Sequence, residues 1–172
     1  MLTRMPWQKI TLVGVGLLGG SLGLAIKQRK LAARVEGYVR RPEAVAEAVR
    51  LGVVDAATCD LAAAVNGADL VIFCTPIAQM RALSERVAKA LSPGAIVTDV
   101  GSVKGTVVAE LEPVFAAVGA TFIGSHPRAG GERMGAAAAR ADLFNNAVCV
   151  VTPTPQTPRT AVVRVEDRTS VV

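Results

Sequence analysis

The segment Gly14-Val15-Gly16-Leu17-Leu18-Gly19 carries three glycines at spacings that suit a turn built around a phosphate. Gly14 would permit a tight turn, and Gly16 would let the backbone come up against a pyrophosphate. Gly19 would let the following helix pack close to the strand before it. That helix, opening at Leu17 and Leu18, would present amide donors and its positive dipole end to the anion. A glycine-rich turn that merely packs a helix onto a sheet is the alternative. The setting favours phosphate: an apolar strand precedes the turn, and a second strand ends about twenty residues after it.

The end of that second strand would choose between dinucleotides. A carboxylate there accepts hydrogen bonds from the ribose hydroxyls of NAD. This chain has Val39 followed by Arg40 and Arg41 instead. Two guanidiniums would attract a 2′-phosphate, so NADP is expected ahead of NAD. Otherwise Arg40 and Arg41 are a solvated loop before a helix.

Three further segments follow strands. His126 lies in Gly124-Ser125-His126-Pro127-Arg128-Ala129-Gly130, where a neutral imidazole facing a ligand crevice can accept a proton. It reads equally well as a loop histidine bonded to backbone. Ser102, in Thr98-Asp99-Val100-Gly101-Ser102-Val103-Lys104, can bond a substrate or His126, or cap the helix that runs on from Lys104. Ser102, Ser125 and His126 are the candidate substrate contacts. Cys74-Thr75-Pro76 can line the nicotinamide side of a dinucleotide, or simply end a strand and start a helix.

The elements that must hold these residues alternate. Strands are expected at Lys9–Val13, Val35–Val39, Leu70–Cys74, Ala95–Thr98, Thr121–Ile123 and Ala147–Val151. Helices are expected at Leu17–Gln28 and Pro42–Leu51, and from an Asp60 cap through Val65. Ile77, Met80, Leu83, Val87 and Leu91 mark another helix, and Val107, Leu111, Val114 and Val118 a last one. That order predicts an α/β, doubly wound, mostly parallel sheet with helices on both faces. Residues 8–153 form this domain. Three prolines between Thr152 and Pro158 make residues 154–172 an extended exit segment with a short tail.

Composition excludes other classes. Of 172 residues, 51% are hydrophobic and 19% charged, which rules out disorder for most of the length. The net charge of +5 suits phosphate-bearing partners, but one Tyr and one Trp provide no stacking platform for nucleic acid. A single His makes a zinc site implausible, so no metal is expected. Cys59, Cys74 and Cys149 read as reduced thiols of a cytoplasmic protein. Residues 10–26 carry no charge, but their five glycines fit the phosphate turn better than a signal peptide or membrane span.

Taken together, these motifs, with Gly20-Ser21 and Ala141-Asp142-Leu143-Phe144, resemble the prephenate/arogenate (cyclohexadienyl) dehydrogenases of tyrosine biosynthesis. The resemblance covers about residues 8–153 and implies a Rossmann-type NAD(P)-binding domain. It also implies oxidative decarboxylation of a small-molecule substrate, with His126 accepting the hydroxyl proton and Ser102 orienting both. Arg128 stands where the family usually has Met, and Gly131 where Ser or Thr is common. Family members continue into a helical domain that provides dimer contacts and substrate-binding basic residues, so a homodimer is expected only with that domain. The chain is then a truncated form or the cofactor-binding half. A non-catalytic dinucleotide-binding module, or another reductase of a small imine or hydroxy acid, is the alternative.

Overall fold

A computed structural model describes residues 7–169. Along them run β1 (Trp7–Val13), α1 (Leu17–Gln28), β2 (Ala32–Tyr38), α2 (Pro42–Arg50), β3 (Ala56–Thr58), α3 (Leu61–Val65) and β4 (Leu70–Phe73). There follow α4 (Ile77–Ala88), β5 (Ile96–Asp99), α5 (Lys104–Ala116), β6 (Thr121–Pro127), β7 (Cys149–Thr152) and α6 (Arg159–Thr169). The strands form one sheet in the order β3-β2-β1-β4-β5-β6-β7. All pairings are parallel except β6 with β7. The chain winds outward from β1 to β3 and then restarts at β4 on the other side of β1. This is the Rossmann-type doubly wound order, and its reversal between β1 and β4 opens a crevice at the carboxyl ends of the strands.

Strand alternation divides the apolar residues between two cores. In β4, Leu70 and Ile72 join Trp7, Ile10, Leu12 and Leu22 on one face, whereas Val71 and Phe73 join Val13, Met80 and Leu111 on the other. A strand buried on both faces must read as a continuous apolar run, as Leu-Val-Ile-Phe does. The second core owes much to three of the few aromatic rings. Phe115 lies between Phe73 and Phe122, at centroid separations of 6.2 and 6.0 Å.

Small residues bring α1 close to the sheet. A Cβ added at Gly19 would fall 2.1 Å from the Gly14 carbonyl oxygen, and one at Gly23 would fall 1.9 Å from that of Val53. At the start of α3, the Asp60 carboxylate accepts the Ala63 N–H at 3.1 Å, so the expected cap is present.

Apart from shifts of one to three residues at other element ends, the structure departs from the sequence pattern in three places. β3, a run of Ala-Ala-Thr, has no apolar signature and forms by pairing with Glu36–Tyr38 of β2. The pattern ends β6 at Ile123, but the strand continues to Pro127 because β7 pairs with Gly124–Pro127 after β5 has turned away. After the prolines, the chain folds back as α6. Ala161 and Val165 are buried in the core that holds Trp7, and the Arg164 guanidinium lies 4.2 Å from the centre of the Trp7 ring. The proline-rich segment is itself anchored, since the Thr154 hydroxyl donates to Glu112 of α5. Among the described residues no helix is long and apolar enough to cross a membrane, and no cluster of His, Cys, Asp and Glu could hold a metal ion.

Candidate active site

The crevice encloses about 880 Å³ and runs from the end of β2, across the β1–α1 and β4–α4 turns, to the ends of β5 and β6. The loop after β6, through Ala137, forms its far rim. Gly14 has φ +100°, and a Cβ there would also press on Thr75 Cγ2 at 2.9 Å, so glycine is required twice over. Gly16 is the N-cap of α1 and has no neighbour within 4 Å of where a Cβ would stand. Gly20 N–H donates to the Gly16 carbonyl at 2.8 Å. The N–H groups of Leu17, Leu18 and Gly19 therefore have no acceptor within the helix. Leu17 and Leu18 line the crevice, whereas Gly19 acts as a spacer beneath it.

At the β2 end, Arg40 and Arg41 stand exposed on the crevice lip. Neither guanidinium has a hydrogen-bonding or ionic partner among the described residues. Across the crevice, Cys74, Thr75 and Pro76 form the opposite wall. The Thr75 hydroxyl oxygen is buried and has no hydrogen-bond partner among the described residues. A buried polar atom left unsatisfied costs stability, so an acceptor or donor from a ligand would relieve it.

His126 and Ser102 both reach the crevice. The His126 imidazole has no hydrogen-bond partner among the described residues, so it is not tied to backbone. Ser102 is exposed, and the N-cap of α5 is Val103 without any side-chain cap, so Ser102 does not cap that helix. Ser125 is not brought to the crevice, a correction to the expected substrate contacts. Strand alternation turns it to the opposite side of β6 from His126. There its hydroxyl is buried and donates to the Asp99 carbonyl at 2.6 Å, beside the Thr98 hydroxyl at 3.1 Å.

Two charged residues that spacing alone leaves without a role lie behind this pair. The Asp99 side chain is fully buried and forms an ion pair with Lys104, whose side chain is 13% exposed. The available signal was an acid and a base five residues apart across a strand-to-helix turn. Burial pushes the Lys104 ammonium below its ordinary pKa, and the Asp99 charge only partly restores it. Burial raises the Cys74 thiol, with the Asp99 charge adding to the effect. Cys149 is raised too, again by burial first, although a hydrogen bond with Ser125 opposes it. Both shifts disfavour the thiolate, the reactive form of a cysteine.

Comparison with known proteins places these features in context. Residues 22–170 match the family described as "Prephenate dehydrogenase, nucleotide-binding domain". The chain is 37% identical over 154 residues to a prephenate dehydrogenase of Bacillus subtilis, covering 89% of this chain and 41% of that protein. A structure of Aquifex aeolicus prephenate dehydrogenase in complex with hydroxyphenyl propionate and NAD+ superposes with a TM-score of 0.89 at 29% identity. That match covers 99% of this chain and 58% of the other. Synechocystis arogenate dehydrogenase gives 0.86 at 34% identity, covering 96% of this chain and 56% of that one. The chain therefore spans about half the length of the relatives it matches.

Proposed function

Because the chain belongs to the prephenate dehydrogenase family, we propose that it is the dinucleotide-binding and proton-accepting half of an NAD(P)-dependent enzyme that oxidatively decarboxylates prephenate or arogenate. The observation that carries this reading is one crevice holding an uncapped, glycine-opened helix N-terminus and, beyond it, an unbonded histidine and serine. The Aquifex relative binds a dinucleotide and an aryl carboxylic acid together, which supports the same pairing of ligands here.

The residues present fit a dinucleotide. Space is open above Gly16, the first amides of α1 lack acceptors, and the Thr75 hydroxyl waits unpartnered on the facing wall. The pyrophosphate belongs over Gly16, Leu17 and Leu18, with Gly14 and Gly19 shaping the turn. The nicotinamide belongs beside Cys74, Thr75 and Pro76, and Arg40 and Arg41 would meet a 2′-phosphate, so NADP is favoured over NAD. When bound, the nicotinamide supplies the hydride acceptor. The imidazole of His126 takes the proton from the substrate hydroxyl as hydride leaves the carbon bearing it. The ring carboxylate departs as carbon dioxide, and its bonding electrons make the ring aromatic. They shift the carbonyl pair onto oxygen, and that oxygen takes the proton back from His126. Ser102 donates to or accepts from that hydroxyl and holds it toward His126.

The dinucleotide-binding unit is residues 8–153, and the segment that follows from residue 154 packs its helix α6 against the core that holds Trp7. Pairing of two copies belongs to a form that also carries a helical substrate-side domain. Three free cysteines accord with a reducing compartment such as the cytoplasm.

Calorimetric titration of the chain with NADP+ and NAD+ tests this reading. The chain should bind both, and Gly16→Val should bind neither while melting at the parent's temperature, because its new side chain enters empty space. A parent that binds no dinucleotide, or a variant that binds as well as the parent, would overturn it.

A further inference from the structure

His126 lies on β6 and Ser102 in the turn after β5, and something must fix the distance between them. β5 pairs with β6 only as far as Ile123, so the backbone ladder ends before the residues that matter. Beyond that point the Asp99 side chain takes over. One carboxylate oxygen accepts the Ser125 N–H at 3.1 Å, and the other accepts the Gly101 N–H at 2.8 Å. Ser125 is the neighbour of His126, and Gly101 is the neighbour of Ser102. The same carboxylate therefore grips both chain segments. Lys104 closes the arrangement by pairing with Asp99 and donating to the Ser125 carbonyl at 2.8 Å. Both polar groups of the Ser125 backbone are thus held by side chains.

The local glycines suit this clamp. A Cβ at Gly101 would stand 2.9 Å from the Asp99 carboxylate and 3.1 Å from Ile77, closing the turn to anything larger. One at Gly124 would stand 2.7 Å from Val108 and 3.5 Å from the Lys104 stem, in the gap between β6 and α5 that the stem occupies. Asp99 is fully buried and the Lys104 side chain largely so, which limits the competition their bonds face from water.

We infer that Asp99 and Lys104 are positioning residues, a buried ionic clamp that sets the His126–Ser102 separation and holds the His126 strand at the crevice. This inference rests on the reading of His126 and Ser102 as the substrate-facing pair. A purely structural ion pair would stabilise the fold without setting where the histidine sits.

The test uses the chain's one histidine, whose ring resonances are unambiguous in a proton NMR spectrum. Lys104→Met should give a folded protein with a displaced, broadened His126 Hε1 resonance and a Ser125 amide that exchanges at least about tenfold faster. Lys104→Arg should restore both towards the parent, since it can still bond Asp99 and the carbonyl. Asp99→Asn should release at least one of the Gly101 and Ser125 amides, since its NH2 replaces one carboxylate oxygen and cannot accept. A folded Lys104→Met with the parent's histidine resonance and Ser125 protection would overturn the clamp. Should both Lys104→Met and Asp99→Asn fail to fold, the parent decides. A slowly exchanging Lys104 ammonium in an ammonium-selective NMR spectrum supports the clamp, and one exchanging like a surface lysine overturns it. None of these readouts needs a dinucleotide, so a parent that binds no NADP+ overturns the crevice's function and not the clamp.

Discussion

Single residues in this chain divide into those whose chemistry can be named from type alone and those that need the strand's phase. Gly14, Gly16, Arg40, Arg41 and His126 belong to the first kind, because a left-handed turn, an open phosphate seat, a guanidinium and an imidazole each name one chemistry, beside a packing or loop alternative. Ser125 belongs to the second. One step along β6 moves a side chain from crevice to core, and the motif could not say which side His126 would take. Thr75 shows what only the structure reveals. Its orphaned hydroxyl makes opposite predictions for stability and binding. Thr75→Val should leave the melting temperature unchanged or raise it, while dinucleotide affinity falls by roughly 2- to 10-fold, the worth of an ordinary hydrogen bond. Affinity retained in full would mean that the hydroxyl meets no ligand. Arg40 and Arg41 make a cleaner case, for neither has anything to lose in the free chain. Replacing both by Ala should erase an NADP preference worth ~1–3 kcal/mol and leave NAD+ affinity nearly untouched. Competitive titration with the two dinucleotides reads the difference directly.

Among the elements, α1 was fully legible because its glycines and apolar residues define both ends, and β4 because its residues are apolar on both faces. β3 and α6 were not. β3 exists only because β2 offers it a partner, and α6 opens after prolines with a polar composition that conceals its two buried positions. Two glycines show how packing, rather than residue type, decides what a helix tolerates. Gly23→Ala should cost about 1–3 kcal/mol or more, because its Cβ meets the Val53 carbonyl oxygen at 1.9 Å. Gly105→Ala in α5 meets nothing within 4 Å and should stabilise by ~0.4–1 kcal/mol. Thermal melts of the two variants should shift in opposite directions. Asp55 links α1 to the middle of β2 through Lys27 at 2.7 Å and the Val35 N–H at 2.8 Å. Burial alone would raise its pKa, but those contacts outweigh it and the net shift is downward from 3.8. A carboxyl so lowered adds stability above its ordinary pKa and loses it as pH falls through the lowered one. Asp55→Asn should therefore be less stable than the parent at neutral pH, by under ~1 kcal/mol given the exposed, screened pair. The gap should close in acid, and a gap that persists at pH 2 would deny the carboxylate its part.

At the scale of the whole molecule, the sheet order puts the phosphate turn, the Thr75 wall and the His126 strand at one end of the sheet although up to 112 positions separate them in sequence. Turnover is the property that belongs to this scale. In a fusion of the chain to the remaining part of a full-length relative, His126→Asn should lower kcat by ~10²–10⁴ with dinucleotide affinity unchanged. A near-parental kcat would remove His126 from the mechanism. Ser102→Ala should cost less, since it removes a hydrogen bond but no proton acceptor. Trp7 sits at the far end of β1 from all of this, sealed beneath α6 with the Arg164 guanidinium over its ring. It is the only tryptophan in the chain. Its fluorescence is therefore a private gauge of whether α6 is seated. Lifting the helix would wet the indole and redden its emission, whereas an event confined to the crevice would leave the colour alone. The protein thus carries, without any label, a light signal for α6 that is separate from events in the crevice at its other end.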